Sequence, residues 1–123
     1  MKFVMIVPIL CLLTLASHAQ TNGTQILHDC TSLTTPGVHT ELESMNSGYC
    51  LGMVRGIMET LMVWEVTDAT HVEANHGCIP YEVTTSKAVA VVKKYLNDHP
   101  EKLHMGDTVL IRVALVEGFP CRR

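Results

Sequence analysis

Four cysteines that follow an apolar amino-terminal run constrain the fold of this chain more than any other feature. They are Cys30, Cys50, Cys78 and Cys121. An even number of cysteines in a short exported chain is typical of a disulfide framework. No two of them have the C-x-x-C spacing, so neither a thioredoxin-type redox pair nor a zinc ribbon is indicated. The sequence therefore predicts two disulfides, for which four cysteines allow three pairings.

The amino-terminal run reads as a secretory signal peptide. Lys2 provides a positive charge, Phe3–Leu15 is apolar and uncharged, and Ser17–Ala19 places small residues where a signal peptidase cuts. A membrane-spanning helix needs about 20 apolar residues, so the run is too short for an anchor. We expect residues 1–19 to be removed, and residues 20–123 to form one periplasmic or secreted domain without a membrane attachment.

The composition of the remaining chain is that of a small globular domain. Without the leader, about 42% of the residues are apolar, an ordinary fraction. Loss of Lys2 moves the net charge from −3 to −4. Because no basic run is longer than two residues, nucleic acid is not an expected partner. A disordered tail, a collagen-like repeat and a multi-pass membrane protein are excluded.

Apolar residues recur at helical spacing in four segments of this domain, which predicts an all-α bundle of about four helices with no β-hairpin. Residues 20–24 are expected to be frayed, and residues 34–47 to form a weakly ordered polar connection. The predicted helices cover Gln25–Leu33, Gly48–Glu65, a segment from a cap at Thr84 or Thr85 to about His99, and Asp107–Glu117.

The helix layout favours one of the three disulfide pairings. A short turn makes the last two helices antiparallel, so the segment before the first lies beside the segment after the second. Cys78 and Cys121 occupy these two segments. We therefore predict the disulfides Cys78–Cys121 and Cys30–Cys50, each contributing about 3–4 kcal/mol in the chain-entropy model.

Three glycines recur every four residues on the second predicted helix. Gly48, Gly52 and Gly56 give that helix one face without side chains. Each interior glycine costs a soluble helix about 1 kcal/mol relative to alanine, so something must offset the cost. Close approach of another helix is the simplest explanation. The neighbour could belong to the same chain or to a second copy.

The sequence offers little support for catalysis or metal binding. All four cysteines are better explained as disulfides than as nucleophiles, no G-x-S-x-G motif is present, and neither an enzyme nor a cofactor is expected. The polar segment from Trp64 to Gly77 is instead the predicted partner-binding loop, and a solvated connector without a binding role is the alternative interpretation. The residues assigned to binding are Trp64, Asp68, His71, Glu73, Asn75 and His76. A metal site at its histidines is a less favoured alternative, because the ligands lack a helical i, i+4 arrangement.

A set of short motifs in one order resembles the Rap/Tai family of type VI secretion immunity proteins. The set consists of Tyr49-Cys50-Leu51-Gly52 with Gly56, Cys78-Ile79-Pro80, Val91–Leu96 with His99-Pro100-Glu101 and Leu103-His104, Ala114-Leu115, and Phe119-Pro120-Cys121. The sequence departs from the family pattern at Met105-Gly106-Asp107 and at Gly118. The resemblance implies a helical, disulfide-bonded periplasmic protein, often a homodimer, that blocks the active site of a peptidoglycan amidase effector.

The leading hypothesis is therefore an exported binding protein that fills the cleft of a cognate amidase with a rigid loop. A general envelope module, such as an acid-stress chaperone, is the second hypothesis, because histidines charge as the pH falls through about 6.5. A metal-binding module is the third.

Overall fold

The described part of the chain folds into four α-helices. The computed structural model describes residues 21–67 and 77–121, and of residues 64–67 the backbone alone. The helices are α1 (Gly23–Thr34), α2 (Glu41–Thr67), α3 (Thr85–Asp98) and α4 (Asp107–Gly118), with a 3₁₀ turn at Pro100–Lys102 between α3 and α4. The described residues contain no β-strand beyond one isolated bridge, so the predicted all-α bundle is confirmed.

The ends of α3 follow from local chemistry. The Thr84 side chain accepts a hydrogen bond from the Lys87 N–H, which satisfies one of the unpaired donors of the first turn. At the other end, Pro100 disfavours helical backbone at His99, where α3 ends. Both features were readable from the sequence, and the predicted helix is correct.

Helix α2 begins seven residues earlier than the pattern predicted. The expectation that residues up to Ser47 form a weakly ordered connection is wrong from Glu41 onward. Thr40 and Glu43 form a capping box: the Glu43 N–H donates to Thr40 Oγ1 (3.2 Å), and the Thr40 N–H donates to Glu43 Oε2 (2.7 Å). The Thr40 N–H and the Thr40 hydroxyl both donate to the Glu43 carboxylate, and these two hydrogen bonds lower the pKa of Glu43. The capping box therefore sets the start of α2 in a stretch of sequence where apolar residues do not recur at helical spacing.

The core lies where all four helices meet. Its largest fully buried side chains are Ile26, Val54, Val89, Val92, Leu96, Leu110, Ile111 and Leu115. Helix α1 packs mainly on α2, α2 on α3, and α3 on α4. Among the described helices, none has the length and hydrophobicity that a membrane span requires.

Both predicted disulfides are present. Cys30–Cys50 joins α1 to α2 with Cα atoms 5.2 Å apart, and both residues are fully buried. Cys78–Cys121 joins the segment before α3 to the segment after α4, with Cα atoms 4.8 Å apart and both residues half-buried. One disulfide is therefore part of the core, and the other closes the edge of the bundle.

The amino-terminal segment is fixed to the start of α4 rather than frayed, so that expectation is wrong from Thr21 onward. The Gly23 N–H donates to the Met105 carbonyl oxygen at 3.0 Å, and Asn22 forms an antiparallel bridge with Gly106. The Asn22 side chain also caps α1. A Cβ atom at Gly23 would lie 2.8 Å from the Leu103 Cα atom, so the two segments approach each other too closely for a side chain.

Candidate binding surfaces

The predicted partner-binding loop is described at its carboxyl end. Trp64 is in α2 but its side chain is not described, and the other assigned residues, Asp68, His71, Glu73, Asn75 and His76, lie outside the described residues. The loop returns to the bundle at Cys78, whose N–H donates to the Phe119 carbonyl oxygen at 2.7 Å beside the disulfide to Cys121. The disulfide and this hydrogen bond fix the position at which the loop rejoins the bundle. The binding roles of the six assigned residues stay predictions.

An open cleft lies beside this anchor. It has a volume of about 410 Å³ and is lined by Cys78, Pro80, Gly118, Phe119 and Pro120. None of these described lining residues has an ionisable side chain. Its apolar rings are suited to contact with another protein.

The glycine face of α2 (Gly48, Gly52 and Gly56) is exposed to solvent. A Cβ atom built at any of the three would meet nothing within 4 Å. Within residues 21–67 and 77–121, no helix packs on this face, because the buried side of α2 carries Cys50, Val54 and Met58 instead. Within the described part of the monomer, no contact with another helix compensates for the low helix propensity of the three glycines. The role of the three glycines in helix packing stays a prediction.

A third surface lies between the end of α1 and the α1–α2 loop, residues 35–40. An open cleft of about 350 Å³ separates them, and its lining is both polar and apolar. The lining residues are His28, Thr31, Ser32, Thr35, Pro36, Gly37, Val38, His39 and Glu43. The sequence reasoning missed this surface, although the Thr40-x-x-Glu43 capping box was a readable signal for the boundary of the loop.

A buried carboxylate joins the amino terminus, α2 and α4. Asp107 is 4% exposed, and its Oδ2 accepts hydrogen bonds from Thr21 Oγ1 and from the Tyr49 hydroxyl, the latter at 2.6 Å. Its Oδ1 accepts from the Thr108 N–H at 2.6 Å. Burial raises the pKa of Asp107, but these hydrogen bonds together outweigh it, so the pKa lies below the ordinary value of 3.8. The hydrogen bond to Asp107 in turn raises the pKa of Tyr49.

The described residues offer no evident chemical centre. All four cysteines are in disulfides, so none of them has a free thiol. Within residues 21–67 and 77–121, no three His, Cys, Asp or Glu side chains converge as metal ligands would. His71, Glu73 and His76, on which the metal hypothesis rests, lie outside these ranges. What the described surfaces can do is contact another molecule.

A comparison with known proteins shows to which family this chain belongs. A family model of Rap1a immunity proteins matches residues 22–121. The chain belongs to this family. Immunity proteins bind a cognate effector and are generally not enzymes, and the two disulfides of this Rap1a-family chain suggest an exported protein. Among curated proteins and among solved structures, no match is significant.

Proposed function

We propose that this Rap1a-family protein acts in the periplasm, where it binds a peptidoglycan amidase effector of type VI secretion and blocks its active site. The observation that carries the proposal is the match of residues 22–121 to the family. Two further features support it: the disulfides require an oxidising compartment, and residues 1–19 have the pattern of a cleavable signal peptide.

Inhibition by a rigid surface is the mechanism that suits this fold. The Cys78–Cys121 disulfide and the Cys78–Phe119 hydrogen bond hold one end of the predicted binding loop, and α2 holds the other. A loop with fixed ends loses less conformational entropy when it binds, which favours affinity. We propose that Trp64, Asp68, His71, Glu73, Asn75 and His76 contact the effector.

Co-expression with the candidate toxin encoded by the neighbouring gene tests this function. We expect cells that export the toxin to survive when this protein is exported with it, and to lyse when the protein lacks residues 1–19. Capture from a lysate separates this function from that of a general chaperone. One stoichiometric amidase supports the proposal, whereas many weak partners bound at low pH contradict it.

Deletion of His71–Asn75 tests the predicted loop. We expect the deletion to abolish inhibition of the toxin because it removes three of the six proposed contact residues. The melting temperature should change little, since long surface loops tolerate changes in length. Inhibition assays and thermal unfolding of the same preparation check this result. Full inhibition by the shortened protein would place the contact elsewhere.

We further propose that the protein forms a homodimer through the glycine face of α2. The face is exposed, free of side chains at three successive turns, and flanked by Met45, which is 68% exposed. Close contact with a second helix would offset the helix cost of the glycines, at about 1 kcal/mol each. A helix face of this kind permits two backbones to approach each other closely.

Replacement of Gly52 by glutamine tests the dimer. Glutamine favours the helix and has open space in the monomer, so the fold should be at least as stable as wild type. Light scattering should nevertheless give a monomer for Gly52→Gln and a dimer for wild type. Ser86→Gln, on the exposed side of α3, is the matched control and should stay dimeric. A monomeric wild type, or a dimeric Gly52→Gln variant, contradicts the proposal.

A further inference from the structure

The two disulfides differ in how accessible they are to other molecules. Cys30 and Cys50 are both 0% exposed, so a dissolved thiol reaches the bond between them only when the core opens. Cys78 and Cys121 are both half-buried. Thiol–disulfide exchange needs direct contact between the attacking sulfur and the disulfide, so accessibility decides which bond reacts in the folded protein. The Cys78–Cys121 disulfide is the accessible one of the two.

The apolar cleft described above gives a route to this disulfide. The cleft is open and has a volume of about 410 Å³, and Cys78 is the cysteine of this pair that lines it. Pro80 and Pro120, which also line the cleft, are exposed at its surface. Gly118, a further lining residue, has no side chain that could narrow it. A thiol that enters the cleft therefore meets Cys78.

The sequence beside Cys121 favours the departure of its sulfur. Arg122 and Arg123 follow this cysteine directly. Positive charge next to a cysteine stabilises its thiolate, and a sulfur that is stable as a thiolate leaves a disulfide more readily. Access at Cys78 and charge beside Cys121 thus favour the same direction of exchange, in which Cys78 is attacked and Cys121 departs.

We infer that Cys78 is a site of thiol–disulfide exchange with a dithiol, such as the C-x-x-C pair of a thiol oxidoreductase. One thiolate of the dithiol bonds to Cys78 Sγ, the S–S bond to Cys121 breaks, and Cys121 takes up a proton as a free thiol. The second thiolate of the dithiol then displaces Cys78 from the mixed disulfide, and Cys78 also takes up a proton. Two electrons pass to the protein, and the dithiol becomes a disulfide.

Reduction at this site releases the carboxyl end of the predicted binding loop, and the bundle stays folded. The buried Cys30–Cys50 disulfide remains closed, and Ile79, which is 3% exposed, keeps its place in the core. The hydrogen bond from the Cys78 N–H to the Phe119 carbonyl oxygen then lacks the support of the disulfide beside it. A loop with a released end loses more conformational entropy when it binds, which lowers its affinity. Exchange at Cys78 thereby regulates inhibition, and this part of the inference rests on the proposed function.

Timed labelling of the native protein tests the exchange. The protein is incubated with dithiothreitol, quenched at intervals with excess iodoacetamide, and mapped by mass spectrometry. We expect the Cys78–Cys121 pair to be labelled at least about tenfold faster than the buried Cys30–Cys50 pair. Labelling of both pairs at one rate would show that reduction requires unfolding, and would overturn the inference.

Two variants of Pro80 test the route through the cleft. The Pro80 carbonyl oxygen accepts a hydrogen bond from the Val83 N–H at 3.0 Å, and both aspartate and asparagine suit the first position of such a turn. Pro80→Asp adds a negative charge to the cleft, and Pro80→Asn is the neutral control of the same shape. At low salt, the anionic thiolate should react with Pro80→Asp about three- to tenfold more slowly than with Pro80→Asn. The difference should shrink at about 1 M salt. Equal rates at low salt would contradict attack from the cleft.

The Cys78→Ser/Cys121→Ser variant tests the release of the loop. The amide of residue 78 should exchange its hydrogen about tenfold faster or more than in the wild type, because its hydrogen bond to Phe119 is no longer supported. The affinity for the purified amidase encoded by the neighbouring gene should fall about tenfold. Unchanged hydrogen exchange, or an unchanged affinity, would overturn the regulatory part of the inference. A wild-type protein that does not bind the amidase shows a different failure, that of the proposed function, and the labelling rates still decide the exchange at Cys78.

Discussion

Replacing Cys30 and Cys50 together by alanine should lower the free energy of unfolding by about 2–5 kcal/mol. This disulfide joins α1 to α2 and lies wholly inside the core, so its loss frees the unfolded chain and also removes buried sulfur atoms. For a domain of this size, such a loss is a large part of the total stability. We expect a population of unfolded protein at 37 °C.

Equilibrium unfolding in urea, followed by circular dichroism, measures this loss. The Cys78→Ala/Cys121→Ala variant is the comparison, because that disulfide is half-buried and its removal leaves the core side chains in place. A change below about 1 kcal/mol in the Cys30→Ala/Cys50→Ala variant would contradict the view that the buried disulfide secures α1 to the bundle.

Asp107→Ala should cost about 3 kcal/mol near neutral pH. The substitution removes the acceptor of the Thr21 and Tyr49 hydroxyls and of the Thr108 N–H. It also removes a negative charge from the amino terminus of α4, where the helix dipole favours one. Asp98→Ala is the control, because Asp98 makes an exposed ion pair with Lys94 that should contribute less than about 1 kcal/mol.

The effect of Asp107 should depend on pH. Its pKa is lower in the folded protein than the ordinary value of 3.8, so the folded state favours the ionised carboxylate. The stability that it contributes is complete above the unfolded pKa and is lost as the pH falls through the folded pKa. The difference between wild type and Asp107→Ala should therefore stay constant from about pH 7 to about pH 5 and shrink as the pH falls toward about 3 in urea unfolding experiments. A difference that does not shrink between about pH 5 and about pH 3 would contradict the ionised, hydrogen-bonded state of Asp107.

Local sequence signals predicted the helices that have an apolar stripe and clear ends. Helices α3 and α4 match the expectation within a residue or two, because Thr84 and Pro100 bound the first, and apolar residues repeat at 3.6-residue spacing in the second. The start of α2 was missed because residues 41–46 have no stripe, and the capping box alone begins the helix there.

Contacts between residues that are far apart in the chain could not be predicted from local sequence signals. The three glycines of α2 are visible in the sequence as a cost to the helix, but helical periodicity does not say which face of the helix is turned toward the core. Likewise, nothing near Asp107 in sequence indicates that Thr21 and Tyr49 will be its partners.

The pairing of Thr21 with Asp107 makes folding depend on contact between distant parts of the chain. The two residues are 86 positions apart, and native contacts of such long separation slow folding. Cys30 and Cys50 are 20 positions apart, whereas Cys78 and Cys121 are 43 positions apart. In oxidative refolding, we therefore expect the shorter Cys30–Cys50 loop to close first.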